Sequence, residues 1–118
     1  MKIALASLLF PTSIDDALFQ LEELVKEAAA QQAEIICFPE SYIPGYPAAE
    51  FNVQKAKQHE LENALEAACS IAKKYSIAVI LPMDWYDHND FLNVAFVISK
   101  KGEVLGYQSK NQLDPHRR

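Results

Sequence analysis

Residues 34–40 read Glu-Ile-Ile-Cys-Phe-Pro-Glu. Ile35 to Phe38 is an apolar run without polar alternation, and Pro39 closes it. Alternation marks a strand with one wet face; its absence marks a strand covered on both faces. A second run of this kind lies upstream, Lys2 to Leu9, Lys-Ile-Ala-Leu-Ala-Ser-Leu-Leu. Between them Ser13 is placed to cap a helix, with Asp16 three residues on as a capping-box partner and Asp15 and Asp16 at the positive end of the helix dipole. Ile14, Leu18, Leu21, Val25 and Ala28 then recur at helical spacing. Strand, helix, strand implies a parallel pair.

The same rhythm repeats downstream. Ser41–Pro47 is a turn-rich loop with two prolines and a glycine. A helical region follows from about Phe51, its apolar face carried by Leu61, Leu65, Ala68, Ile71 or Ala72, and Tyr75. Ile77–Leu81 is a third buried strand, stopped by Pro82. Met83–Asp90 reads as a polar turn, and Phe91–Ser99 and Glu103–Tyr107, joined by Lys100-Lys101-Gly102, as a hairpin. The sequence thus predicts neighbouring parallel strands over 3–9, 35–38 and 77–81, an antiparallel hairpin over 92–98 and 103–107, and helices over 14–31 and about 58–75 on one face. The fold class is α/β.

Composition narrows the function. The chain has 118 residues, the length of one domain, half of them apolar and 23% charged. Its net charge of −5 argues against a nucleic-acid module. Gly45, Gly102 and Gly106 are its only glycines, too few and too scattered for a phosphate loop or a dinucleotide fingerprint. No apolar run approaches a membrane span. Two cysteines, Cys37 and Cys69, make no disulfide framework, so a reducing, cytoplasmic compartment is the expectation.

Glu40 follows a buried strand and a proline, at a strand's carboxyl end, where α/β sheets collect ligands. Phe38, Pro39 and the Tyr42/Tyr46 loop can keep its carboxylate partly dry, as a general base requires. Lys110 lies just past the last strand and becomes an oxyanion-stabilising cation if it faces Glu40. Read alone, each is an ordinary solvated side chain. Cys37 and Cys69 read as buried small hydrophobes. Asp84, Asp87, His88 and Asp90 match neither a calcium loop nor a zinc pattern and read as a solvated turn, so no metal and no cofactor is expected. Asn93, polar inside a strand, marks a face turned toward a site. Tyr42, Tyr46, Trp85 and Tyr86 are candidates to line one edge of it.

The string Cys-Phe-Pro-Glu-Ser-Tyr-Ile-Pro-Gly-Tyr-Pro over 37–47 resembles the glutamate motif of the nitrilase superfamily, the carbon–nitrogen hydrolases. Residues 91–113, with Asn93, the Gly102 turn and Tyr107-Gln-Ser-Lys110, resemble the family's asparagine strand and lysine motif. Glu40 and Lys110 are 70 residues apart, and the intervening elements fall in family order. The resemblance implies the N-terminal half of an α-β-β-α sandwich, with 1–118 a partial domain. It implies Glu40 as general base and Lys110 as oxyanion stabiliser, with Tyr46 and Asn93 toward the substrate, a small amide or nitrile. The family's nucleophilic cysteine belongs to a later strand-to-helix turn, and neither Cys37 nor Cys69 matches its motif. The resemblance therefore implies a chain inactive alone, assembling with copies of itself or with a second chain that supplies the missing half. The alternative is a non-catalytic remnant acting as an oligomerising or binding module.

Overall fold

A computed structural model describes residues 1–6, 13–39, 42–43, 57–87 and 90–109. Five strands form one sheet in sequence order: β1 (Ile3–Leu5), β2 (Ile35–Cys37), β3 (Ala78–Asp87), β4 (Asp90–Ile98) and β5 (Val104–Ser109). Helix α1 (Ile14–Ala30) connects β1 to β2, and α2 (Gln58–Tyr75) precedes β3. The first three strands pair in parallel, and β3–β4 and β4–β5 pair antiparallel. The expected parallel trio and hairpin are present. Residues 7–9 of the first expected strand and 51–56 before the second helix lie outside the described residues.

The helices begin and end as their sequences dictate. Ser13 Oγ accepts from the Asp16 backbone N–H at 3.0 Å, satisfying one orphan donor of α1. Glu60 caps α2 from the other side, its carboxylate accepting from the Lys57 backbone N–H at 2.8 Å. Both helices close in the same way without glycine. Gln32 (φ 66°) and Ser76 (φ 53°) take the left-handed conformation. The next amides, of Ala33 and Ile77, then reach back to the carbonyls of Ala28 and Ala72 at 3.0 and 3.1 Å. Ala33 and Ile77 are themselves buried, so each helix end delivers the chain straight into the core.

One face of the sheet carries that core. Pairing registers place Ile36, Val79, Leu81, Met83, Val94, Phe96 and Ile98 on a common side, and all are buried. They meet Ala17, Leu21, Val25 and Ala28 of α1 and Leu61, Ala64, Ala68, Ile71 and Ala72 of α2. The helices also touch each other, since Lys74 Nζ and the Tyr75 hydroxyl both donate to Glu22 Oε2 at 2.9 Å. Both helices therefore lie on one face, as expected.

Among the described residues, no element covers the opposite face, which is largely apolar. Ile3, Ile35 and Ala78 form one row; Leu5, Cys37, Ile80 and Val97 form the next. Ile3 is 56% exposed, Leu5 78% and Val97 39%. Unbroken apolar runs signalled strands covered twice, and the described residues supply one cover, the helices.

The structure corrects the reading of residues 82–90. The strand does not stop at Pro82, and Met83–Asp87 is strand rather than turn. β3 runs to Asp87 and pairs with β4 from Val79↔Ile98 to Asp87↔Asp90. Pro82 is tolerated because of where its nitrogen points. The carbonyls of Ile80 and Pro82 and the amide of Asp84 all bond on the β2 side, to Phe38 N, Ile43 N and Ile43 O. The nitrogen of Pro82 faces that side too, between Phe38 and Ile43. The ladder there asks for no N–H.

Gly102 closes the β4–β5 turn against α2. Its φ is +82°, and a Cβ there would stand 2.8 Å from the Cys69 carbonyl oxygen and 3.0 Å from Lys73 Cβ. Gly102→Ala combines a strained backbone with a clash against helix backbone, and should cost about 1–3 kcal/mol. Gly106→Ala isolates the clash, since its φ of +159° also disfavours a side chain but nothing lies within 4 Å of its Cβ position. Urea unfolding of the two variants should separate them clearly; equal midpoints would contradict the packing of this turn.

Candidate functional site

Direction is the first fact about the site. β2 and β3 run the same way, β4 reverses, and β5 reverses again. The carboxyl ends of β2 and β5 therefore leave the sheet at the same end. Cys37 ends β2 three positions before Glu40, and Ser109 ends β5 one position before Lys110. Glu40, Tyr46 and Lys110 themselves lie outside the described residues.

Their flanks are well fixed. Phe38 N donates to Ile80 O at 3.0 Å, the last bond before the chain leaves β3. Ile43 returns to β3 beside Met83, donating to Pro82 O at 3.4 Å and accepting from Asp84 N at 2.8 Å. Met83 pairs with Val94, and Val94 with Ser109. Ile43, Met83, Val94 and Ser109 thus form one row across the sheet. Three strand spacings, roughly 14 Å, separate its ends.

Asn93 stands next to Val94 and pairs with Asp84. Alternation turns both toward the uncovered face, at the end where β2 and β5 finish. The sequence suggested a face turned toward a site for Asn93; the sheet puts Asn93 on the side away from the helices. Asp84 was expected in a solvated turn and instead shares Asn93's face. The signal for it was the alternation Met83-Asp84-Trp85, which Pro82 obscured.

The aromatic residues divide. Trp85 lies on the helix side, edge-on to Phe96 at 4.9 Å between ring centroids, and Phe96 tilts onto Tyr107 at 5.5 Å. Trp85 therefore belongs to core packing rather than to the edge near Glu40. Tyr86 packs partly against the core, its backbone N–H donating to Gln58 Oε1 at 3.0 Å. Tyr42 is fully buried. Its hydroxyl donates to the Ala17 carbonyl at 3.1 Å, and its ring packs on Phe38 at 4.9 Å.

Among the described residues, no group of three or more histidine, cysteine or acidic side chains is placed to hold a metal ion. No described helix is long and apolar enough to cross a membrane. Both cysteines are free and half-buried. Burial pushes the Cys37 thiol up; burial, and then the Glu66 carboxylate, push up Cys69. Both changes disfavour the thiolate, the opposite of what a nucleophile needs.

A glutamate motif after β2 and a lysine motif after β5, carried to one end of a mixed sheet with helices on one side, define a class. The chain belongs to the carbon–nitrogen hydrolase family, whose model matches residues 2–118. An arylacetonitrilase of Aspergillus oryzae is 29% identical over 97 residues, 74% of this chain and 29% of that protein. A glutamine-dependent NAD(+) synthetase of Aquifex aeolicus is 29% identical over 115 residues, 96% of this chain and 20% of that protein. Among solved structures, an amidase from Nesterenkonia sp. AN1 of the nitrilase superfamily, in a cysteine-to-alanine form bound to butyramide, superposes with a TM-score of 0.82. It is 23% identical and covers 97% of this chain and 44% of its own. The fold is thus that of the nitrilase superfamily, and the chain spans under half the length of these relatives.

Alkylation tests the reading of the cysteines. With iodoacetamide at pH 8, Cys37 and Cys69 should both react more slowly than a free cysteine thiol. Peptide mapping that finds either one reacting faster would contradict an inert role.

Proposed function

We propose that this chain carries the general base and the oxyanion stabiliser of a hydrolase acting on a small non-peptide amide or nitrile. Glu40 is the base, Lys110 the stabilising cation, and Tyr46 and Asn93 face the substrate. What supports the reading most is the common direction of β2 and β5, which brings both motif-bearing strand ends to one end of the sheet.

The chemistry needs a cysteine thiolate in addition. Glu40 takes the thiol proton, and sulfur attacks the amide carbon to form a C–S bond. The carbonyl electrons move onto oxygen, where the Lys110 ammonium stabilises them. The C–N bond breaks, and the departing ammonia takes the proton back from Glu40. Water, deprotonated by Glu40, then displaces sulfur and releases the acid. A nitrile would enter the same sequence through a covalent thioimidate. Neither Cys37, on β2 with a raised pKa, nor Cys69, in α2, is assigned the thiolate role. The Nesterenkonia amidase, in a variant with a glutamate changed to glutamine, undergoes Michael addition of acrylamide at its active-site cysteine.

The uncovered face gives this reading its second half. Ile3, Leu5, Ile80 and Val97 stand where a second sheet would pack in a sandwich. Each such side chain, once fully buried, contributes about 1.5–3 kcal/mol. The chain thus associates through this face, with a copy of itself or with a polypeptide carrying the cysteine-bearing remainder of the domain.

The test is ammonia release from butyramide and from phenylacetonitrile. The 118-residue chain alone should release none. Mixed with the cysteine-bearing remainder it should turn over, and Glu40→Gln should then lower kcat by roughly 10²–10⁴-fold. Lys110→Ala should lower it by about 10²–10³-fold. Turnover by the isolated chain, or full activity in either variant, would overturn the assignment.

A further inference from the structure

The described sheet has two edges, β1 and β5, and they differ. β5 carries the marks of a permanent edge. It pairs antiparallel, its register shifts between Val97 and Ile98, and Lys100, Lys101 and Glu103 precede it. Bulges and charges are the usual means by which an edge strand refuses a further partner. Leu105 and Tyr107 are exposed there, but the Tyr107 ring already packs on Phe96.

β1 carries none of these marks. It pairs in parallel with β2 and is apolar throughout, Ile3-Ala4-Leu5. Parallel strands of such a sequence are normally covered rather than left at a bare rim. The charge beside it is Lys2, and its Nζ is drawn off to the Gln31 carbonyl at the end of α1, 2.8 Å away. Backbone bonds show which groups remain. The Lys2 carbonyl accepts from Glu34 N at 2.8 Å, and Ala6 N donates to the Cys37 carbonyl at 2.9 Å. Lys2, Ala4 and Ala6 therefore turn their backbone groups to β2. The N–H and C=O groups of Ile3 and Leu5 turn the other way, where no described strand pairs with them. Their exposed side chains stand on the face away from the helices. Open edge and apolar face meet at these two residues.

We propose that the outer edge of β1 receives a strand from the cysteine-bearing remainder of the domain, the same polypeptide that covers the adjoining face. This deepens the reading of a catalytic domain shared between two parts and rests on it. A second copy of this chain does not meet both needs. Two β1 strands related by a two-fold axis would pair antiparallel, with their bare faces side by side and neither covering the other. The remainder is large enough to do both, since over half of the Nesterenkonia amidase chain lies outside the part matched here. Strand addition would pair the backbone groups of Ile3 and Leu5 and remove their side chains from water in the same step.

A fusion tests this: the 118-residue chain followed by the unmatched part of the Nesterenkonia amidase, with its active-site cysteine. Amide exchange of Ile3 and Leu5 should be at least roughly tenfold slower in the fusion than in the isolated chain. Protection gained at Leu105 instead would put the added strand on β5 and overturn the proposal. Leu5→Pro supplies a second measurement. The N–H it removes points outward, so the isolated chain should keep its urea midpoint. The fusion should unfold at lower urea, because the proline blocks the added strand. A fusion midpoint that does not move, or an isolated chain that falls as far as the fusion, overturns the proposal. Butyramide separates this proposal from the reading beneath it. Turnover by a fusion whose Ile3 and Leu5 amides stay unprotected removes the strand addition and keeps the shared site. A fusion without turnover removes the shared site, and the strand addition with it.

Discussion

Two reversals of direction after β3 return the chain to the direction of β2. That constraint decides where chemistry can be assembled. With one reversal fewer, the segment after Ser109 would leave at the opposite end from the segment after Cys37. The long β3–β4 pairing, nine residues from Val79↔Ile98 to Asp87↔Asp90, fixes the first reversal. The Gly102 turn, seated against the backbone of α2, fixes the second. Helix packing and sheet direction are thus linked through one glycine, and the site inherits its geometry from elements far from it.

The two faces of the sheet do different work. The helix side supplies stability, through a continuous apolar cluster and the Trp85–Phe96–Tyr107 ring series. The other side carries Asp84 and Asn93 near the end where β2 and β5 finish, and an apolar surface around Ile80 that none of the described residues covers. On the proposed function, the same surface would tie catalysis to association, because a water-exposed sheet face cannot make the dry surroundings that strengthen a general base and an oxyanion contact.

Most of the fold was legible in the sequence. Ile35 to Phe38 and Ile77 to Leu81 read as buried parallel strands because they lack alternation. Both helices read correctly because their apolar spacing was clean, and Ser13 marked the first start. What misled was Pro82. A proline in a strand normally ends it, and only the departure of the neighbouring chain at Phe38 makes it harmless here. That departure is a tertiary fact, absent from local pattern. The full burial of Tyr42 was hidden for a similar reason: its loop read as lining the edge of a site, and the acceptor of its hydroxyl is 25 residues away in sequence. The roles of Glu40, Lys110 and Asn93 come from motif resemblance alone, since position made each an ordinary polar residue. The sheet directions give that resemblance a physical basis, independent of the motifs themselves.

The central claim is that Glu40 and Lys110 meet. A zero-length carbodiimide cross-link reads this directly, since it joins a carboxyl to an amine only when the two touch. Peptide mapping of the treated chain should recover residue 40 coupled to residue 110. A Lys110 joined only to carboxylates from the other end or the helix side of the sheet would contradict the account.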